Sequence, residues 1–292
     1  SQYWKRKGQS EVFDKFISEE LDAGDTFSSE LELKKWLETH ECVICGSDQI
    51  WNNNITGNGG AYFAVDCNVK KISYAASLGT TQLNETQKSN IINYLPSFSS
   101  ISVREPGSAE QLTKILHREI QVVLDPVFLL DRDEWRKLSR PVSVDSNYLF
   151  LYFLQENEKL LECAKKYAEE NGLKIYEVHP TLATRHNGCK RLENVGPKEF
   201  IWLIENASCV CTNSFHATAF STIFRKKLIH IPNSKSPERT TSLLERVGIE
   251  LKTDKEFPFY DISLCDDTNL NFEIEKSKKF LDAVMESEQY GN

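Results

Sequence analysis

Residues Ala207–Phe224 read A-S-C-V-C-T-N-S-F-H-A-T-A-F-S-T-I-F. The β-prone run Ser208–Thr212 stops at the polar pair Asn213-Ser214, and an apolar pattern with helical spacing begins at once. Strand, short polar turn and helix start, in this order, are the repeating unit of parallel α/β sheets. His216 falls in the first turn of the expected helix. Backbone N–H groups at such a start lack intrahelical acceptors, and the helix dipole favours negative charge there. A histidine at that point can hold an anion and move a proton near neutral pH. The same letters also fit a plain structural reading, in which Ser or Asn caps the helix and the histidine is a satisfied core group. Both readings stay open on this stretch alone.

The alternation extends in both directions. Upstream, Glu41–Cys45, Lys71–Ala76, Ser100–Val103 and Gln121–Leu124 read as buried strands, with helical periodicity over Asn84–Leu95 and Gly107–Leu116. Before them, residues 11–40 read as helices, the second opening in a capping box at Ser28 or Ser29. A polar stretch, Arg140–Asn147, serves as a linker. A second series follows: strand Tyr148–Leu154, helix Glu156–Asn171 closed by Gly172, strand Lys174–Val178, then Pro197–Ile204, the opening unit and Lys227–Ile231. The last helix is expected over Glu273–Ser287. The expected fold is α/β, with two Rossmann-like parallel-sheet domains, 1–145 and 146–292, and a cleft between them. The last helix is expected to pack back on the first domain. Ligands of such sheets bind outside the C-terminal ends of the strands, where Asn213–His216 would lie.

Composition narrows the function classes. The chain has 292 residues, 40% hydrophobic and 27% charged, enough for two domains of about 130–150 residues each. A net charge of −8 argues against a general nucleic-acid or anionic-membrane surface, while leaving room for a local basic pocket. No run approaches the ~18 apolar residues of a membrane span, and S-Q-Y-W-K-R-K-G at the start lacks a secretory apolar core. The eight cysteines do not form a disulfide-framework pattern; Cys42, Cys45, Cys209 and Cys211 fall inside β-prone runs. Cys42-Val-Ile-Cys45 has thioredoxin-like spacing, but Val and Ile between suit a buried strand, and no second pair completes a zinc site. A reducing, cytoplasmic setting is expected.

Other polar groups are expected where strands end. Gly46-Ser47-Asp48-Gln49-Ile50-Trp51-Asn52 follows a strand directly, so Ser47, Asp48 and Gln49 offer donors and acceptors suited to sugar hydroxyls, and Trp51 a face for a sugar ring. A tight turn with an Asx cap and a core Trp explains the same residues. Arg104 ends the strand Ile101–Val103 and could grip a carboxylate or phosphate through two N–H groups, or pair with Glu105. Asp125, before Pro126, reads as a turn residue. His179–Arg191 gathers His179, Arg185, His186, Lys190 and Arg191 on an expected loop. Gly57-Asn58-Gly59-Gly60 lacks the setting of a phosphate or dinucleotide loop and reads as a flexible loop.

Taken in order, G-S-D-Q-I-W-N, I-S-Y-A-A-S-L-G, I-S-V-R-E, V-L-D-P-V-F-L-L and T-N-S-F-H-A-T-A-F-S resemble the polysaccharide pyruvyl transferase family, from about Gly46 to Gly248. The resemblance implies a GT-B-like fold and transfer of pyruvate from phosphoenolpyruvate to two hydroxyls of a sugar, as a cyclic ketal, with release of phosphate. The setting would be cell-surface or exopolysaccharide biosynthesis. It implies His216 as proton donor or phosphate contact, Arg104 as partner of the donor carboxylate or phosphate, and Asn213 and Ser214 at the anion. Ser47, Asp48 (as a catalytic group) and Gln49 would position the acceptor, and Arg239 matches a position where members often carry arginine. The implied partners are phosphoenolpyruvate and a sugar or lipid-linked oligosaccharide, at the inner face of the membrane, with no nucleic acid and no metal or redox cofactor. Two departures stand out: Ser214 where some relatives have Arg, and Ala217 where Gly is usual. Members also begin with a strand and a Gly/Asn-rich loop, and this chain starts downstream of both, so an N-terminal strand unit is expected to be missing. Two alternatives remain: a nucleotide-sugar glycosyltransferase of the same architecture, and a catalytically silent binding protein.

Overall fold

A computed structural model describes residues 2–179, 184–232, 237–252 and 256–286, with side chains from Ser10 onward. Pro180–Ala183 of the expected basic loop, and Ser287 of the expected last helix, lie outside the described residues.

Chain contacts sort the protein into two units, and neither is continuous in sequence. One comprises residues 1–24, 130–234 and 248–266; the other comprises 25–129, 235–247 and 267–292. The sequence reading cut the chain once, at 145/146. The structure groups residues 130–145 with the strands that follow them, and the last helix, expected to pack back on the first domain, with the strands of the early chain.

In the unit holding residues 25–129, β1 (Cys42–Cys45), β2 (Lys70–Ala76), β3 (Ser100–Val103) and β4 (Gln121–Val122) form a parallel sheet in sequence order. Helices Glu85–Tyr94 and Pro106–Leu116 supply Ile91, Ala109 and Leu112 to a core shared with Ile101 and Val103. The residues Phe280 and Leu281, from the last helix Thr268–Glu286, pack instead against Tyr74, Ala75 and Val123. Trp51 joins the first core, 2% exposed and stacked on Phe63, so it is a packing residue and presents no face to a sugar. Gly60, expected in a flexible loop, has its N–H bonded to the Glu30 carboxylate and opens the short 3-10 helix Ala61–Phe63.

In the other unit, β5 (Tyr148–Tyr152), β6 (Lys174–Val178), β7 (Cys189–Arg191), β8 (Cys209–Thr212), β9 (Lys227–His230) and β10 (Phe259–Asp261) form a sheet ordered β10-β9-β8-β5-β6-β7. Only β10 runs antiparallel. The two-residue period of β5 sorts its side chains. Leu149 and Leu151 pack with helix Glu158–Asn171, whereas Phe150 and Tyr152 meet Phe200 of helix Pro197–Asn206. Gly172 ends helix Glu158–Asn171 at φ 63°, a left-handed position that suits glycine.

β7 corrects the expected basic loop. Cys189–Arg191 pairs in register with Ile175–Glu177. The side chains of the region have partners within this unit: Lys190 pairs with Asp145, Arg185 with Glu193, His179 bonds to Glu156 and His186 to Glu177, and Arg191 donates to the carbonyls of Thr184 and His179. No helix of the described residues is long and apolar enough to cross a membrane.

Candidate active site

The polar groups singled out in sequence fall into one cluster in each unit. In the unit of residues 25–129, the cluster gathers where β1, β3 and β4 end. Gly46 makes the turn possible: its φ is 140°, and a Cβ there would sit 2.0 Å from the Tyr74 carbonyl oxygen, so no side chain fits. Ser47, Asp48 and Gln49 follow at once. Asp48 takes the left-handed region at φ 59°, which Asp tolerates better than most residues. Its carbonyl accepts from Ser77 N at 2.9 Å, which fixes the backbone at that point.

Arg104, at the end of β3, is 3% exposed and surrounded by carboxylates. Its Nε donates to Glu105 at 3.0 Å, Nη1 to Asp125 at 2.7 Å, and Nη2 to Asp48 at 3.1 Å. Burial alone would weaken its hold on a proton; Glu105, Asp125 and Asp48 outweigh that and keep it above the ordinary arginine value. Arg239 arrives from a chain segment far away in sequence, in the first turn of helix Glu238–Arg246. Its Nη2 donates to the same Asp48 oxygen, Oδ1, at 3.2 Å, and its Nε lies 3.5 Å from Glu105. Burial and the Arg104 charge pull Arg239 below the ordinary arginine value. Asp48 itself is exposed at its side chain, 56%.

Asp125, read in sequence as a turn residue, joins this cluster. It does cap a turn, accepting from Val127 N, yet its side chain is 1% exposed and also binds Arg104 and, at 3.2 Å, the Ser47 hydroxyl. Its position within V-L-D-P-V-F-L-L was the available signal. Gln49, by contrast, spends its side-chain oxygen on Asn52 at 2.9 Å, below Gly79. Beside Arg239, a notch of about 20 Å³ is lined by Ser77, Thr80, Ser108, Glu105 and Glu238, enough for one water or one hydroxyl group.

The second cluster lies at the C-terminal end of β8. Asn213 uses both ends of its amide on the chain after β5, accepting from Leu154 N and donating to Gln155 O, each at 2.8 Å. Ser214 is the N-cap of helix Phe215–Ile223, its hydroxyl accepting from Ala217 N at 3.4 Å. Eight of the nine residues of that helix are buried, and His216 is the one that is not. His216, half-buried in the first turn, is therefore the least buried residue of this helix, at the end where backbone N–H groups and the helix dipole favour an anion. The other histidine of this region, His230, is fully buried, bonded through Nδ1 to Thr212 O at 3.0 Å, and burial lowers it to about 4. It is a neutral core group.

Chemically, the first cluster offers two arginines around an exposed carboxylate, and the second offers a helix start with a half-buried histidine. Among the described residues, no group of three or more His, Cys, Asp or Glu side chains is placed to hold a metal ion. The cysteines are free, and burial pushes Cys45 up to about 12, which suits packing rather than redox chemistry.

Comparison with known proteins agrees with this architecture. The solved structure of UDP-GlcNAc 2-epimerase from Methanocaldococcus jannaschii in complex with UDP-GlcNAc and UDP aligns over 94% of this chain and 89% of its own, at 14% identity and TM-score 0.53. UDP-GlcNAc 2-epimerase from Neisseria meningitidis bound to UDP-GlcNAc aligns over 75% and 69%, at 11% identity and TM-score 0.47, too slight a likeness to argue from. At these identities the likeness concerns the fold alone, which is GT-B-like. A comparison with curated proteins gives no match. The family model described as Polysaccharide pyruvyl transferase matches residues 13–235, most of the chain. The chain therefore belongs to the polysaccharide pyruvyl transferase family.

Proposed function

We propose that this protein transfers pyruvate from phosphoenolpyruvate to a sugar as a cyclic ketal, in the assembly of a cell-surface polysaccharide. The observation that carries the reading is His216, the one residue of helix Phe215–Ile223 that is not buried, within a chain that belongs to the pyruvyl transferase family. The reaction needs a proton at the methylene carbon of the donor, which becomes the methyl group. Two sugar hydroxyl oxygens bond to C2, the C2–O bond to phosphate breaks, and the hydroxyl protons are taken up by the methyl group and by phosphate. His216 supplies the proton or steadies the departing phosphate, and the helix N-terminus meets its charge. Asp48 receives the proton of an attacking hydroxyl, and Ser47 and the hydroxyl-lined notch beside Arg239 suit an acceptor rich in hydroxyls. Arg104 and Arg239 meet the donor's negative charge. Asn213 and Ser214 act indirectly, by fixing the turn that carries His216. The acceptor is a sugar or lipid-linked oligosaccharide, reached by peripheral association with a membrane, and no metal or redox cofactor takes part.

The test is phosphate release from phosphoenolpyruvate in the presence of acceptor glycan. The His216→Ala protein is expected to lose about 10²–10⁴-fold in kcat, the usual contribution of general acid–base catalysis, while its circular dichroism is unchanged. Undiminished turnover by the folded variant would refute the role of His216. Thermal protection by UDP- or GDP-sugars and none by phosphoenolpyruvate would refute the reaction.

A further inference from the structure

Two guanidinium groups, brought together from residues 104 and 239, converge on one oxygen of one side chain. Arg104 Nη2 lies 3.1 Å and Arg239 Nη2 3.2 Å from Asp48 Oδ1. The arginines are 2% and 13% exposed at their side chains and are anchored behind by Glu105 and Asp125, whereas the Asp48 side chain is 56% exposed. An exposed carboxylate held in a fork of buried arginines has the form of a carboxylate-binding site with the protein's own group in it.

We infer that Arg104 and Arg239 form a subsite for the carboxylate of a small organic anion, and that Asp48 occupies this subsite until the ligand displaces it. The electrostatics are balanced for exchange. Among the five groups Arg104, Arg239, Asp48, Glu105 and Asp125, the formal charges sum to −1. Once the Asp48 side chain swings towards solvent, a ligand carboxylate takes over its two guanidinium partners while water screens the displaced charge, whereas an anion added beside Asp48 in place would meet direct repulsion. The mechanics are also simple. The Asp48 backbone is pinned by Ser77 N and bridged to Ala76, so only side-chain torsions need to change. Asp125, Glu105 and the Ser47–Asp125 bond stay in place and keep Arg104 extended. In terms of the function proposed above, on which the identity of the ligand rests, the carboxylate is that of phosphoenolpyruvate. Its arrival then frees Asp48 to accept a proton, so that base and donor are made ready in one step.

Pyruvate, which carries the carboxylate without the phosphate, is the probe, titrated by calorimetry into the wild-type protein and into Asp48→Asn, Asp48→Ala and Arg239→Gln, with inorganic phosphate as a parallel arm. Removing the competing charge is expected to tighten pyruvate by about 10-fold or more in both Asp48 variants, roughly the effect of one close charge in a partly screened site. Arg239→Gln is expected to abolish binding, and phosphate is expected to gain less than pyruvate. Weaker or unchanged pyruvate binding in both Asp48 variants, with circular dichroism showing them folded, would overturn the inference, as would a gain for phosphate alone. No turnover is needed, so a failure of the pyruvyl transfer assay leaves this result to stand or fall separately.

Discussion

Arg104 depends on Asp125 more than on any exposed partner, because the two meet at 2.7 Å with side chains 2% and 1% exposed. Losing one member of a buried ion pair leaves the other charge stranded, typically at a cost of about 3–5 kcal/mol. Asp125→Asn is therefore expected to lower stability by about 3 kcal/mol in urea titrations, the remaining carboxylates moderating the loss; an unchanged midpoint would contradict the buried pair. His230 carries a separate prediction. Its folded value is about 4 against 6.5 for an ordinary histidine, because burial penalises the imidazolium. Between these values the unfolded chain binds a proton that the folded chain refuses. Its contribution is thus fully present above about pH 6.5 and is lost as pH falls towards 4, by up to ~3 kcal/mol. Stability measured from pH 7 to 4 is expected to fall less steeply in His230→Gln than in the wild type, and equal slopes would contradict this.

At the scale of single elements, the cap of helix Phe215–Ile223 is the most exposed to test. Ser214→Ala removes the acceptor of Ala217 N and is expected to cost about 1 kcal/mol by thermal or chemical unfolding. A much larger loss would show that Ser214 does more than cap. The strands Ser100–Val103 and Lys174–Val178 were legible from their β-branched and aromatic residues, and the end of helix Glu158–Asn171 was legible from Gly172, because local preference and burial agree there. β7 and β10 were not legible. Each has three residues; Cys-Lys-Arg carries no apolar alternation, and an antiparallel closing strand has no place in a parallel series. The opening segment read correctly as strand, turn and helix, but the tasks of Asn213 and Ser214 depend on partners after β5 and within the helix, which spacing does not reveal. Thiols in strands lead to a further expectation: Cys45, Cys209 and Cys211, all raised by burial, should resist thiol reagents at neutral pH until the protein unfolds.

For the whole molecule, the informative departure from the sequence is the path of the chain. Residues 235–247 leave the unit of β5–β10 and return to that of β1–β4, and this return brings Arg239 to Asp48, 191 positions apart. No local pattern signals such a return, because the signal for a strand or helix is its own periodicity, not its neighbours. The first cluster was therefore visible as separate motifs but not as an assembly, and Asp125, which holds its centre, looked like a turn. The α/β fold class and the family are the parts on which sequence, structure and comparison agree. The chemistry rests on one question, whether the chain consumes phosphoenolpyruvate. The direct measurement is mass spectrometry of an acceptor glycan incubated with phosphoenolpyruvate and this protein, alongside phosphate release. The account predicts a pyruvate ketal on the glycan, one phosphate released for each ketal, and both formed about 10²–10⁴-fold more slowly with His216→Ala. An unmodified glycan and no phosphate, from folded protein supplied with a range of polysaccharide acceptors, would contradict it.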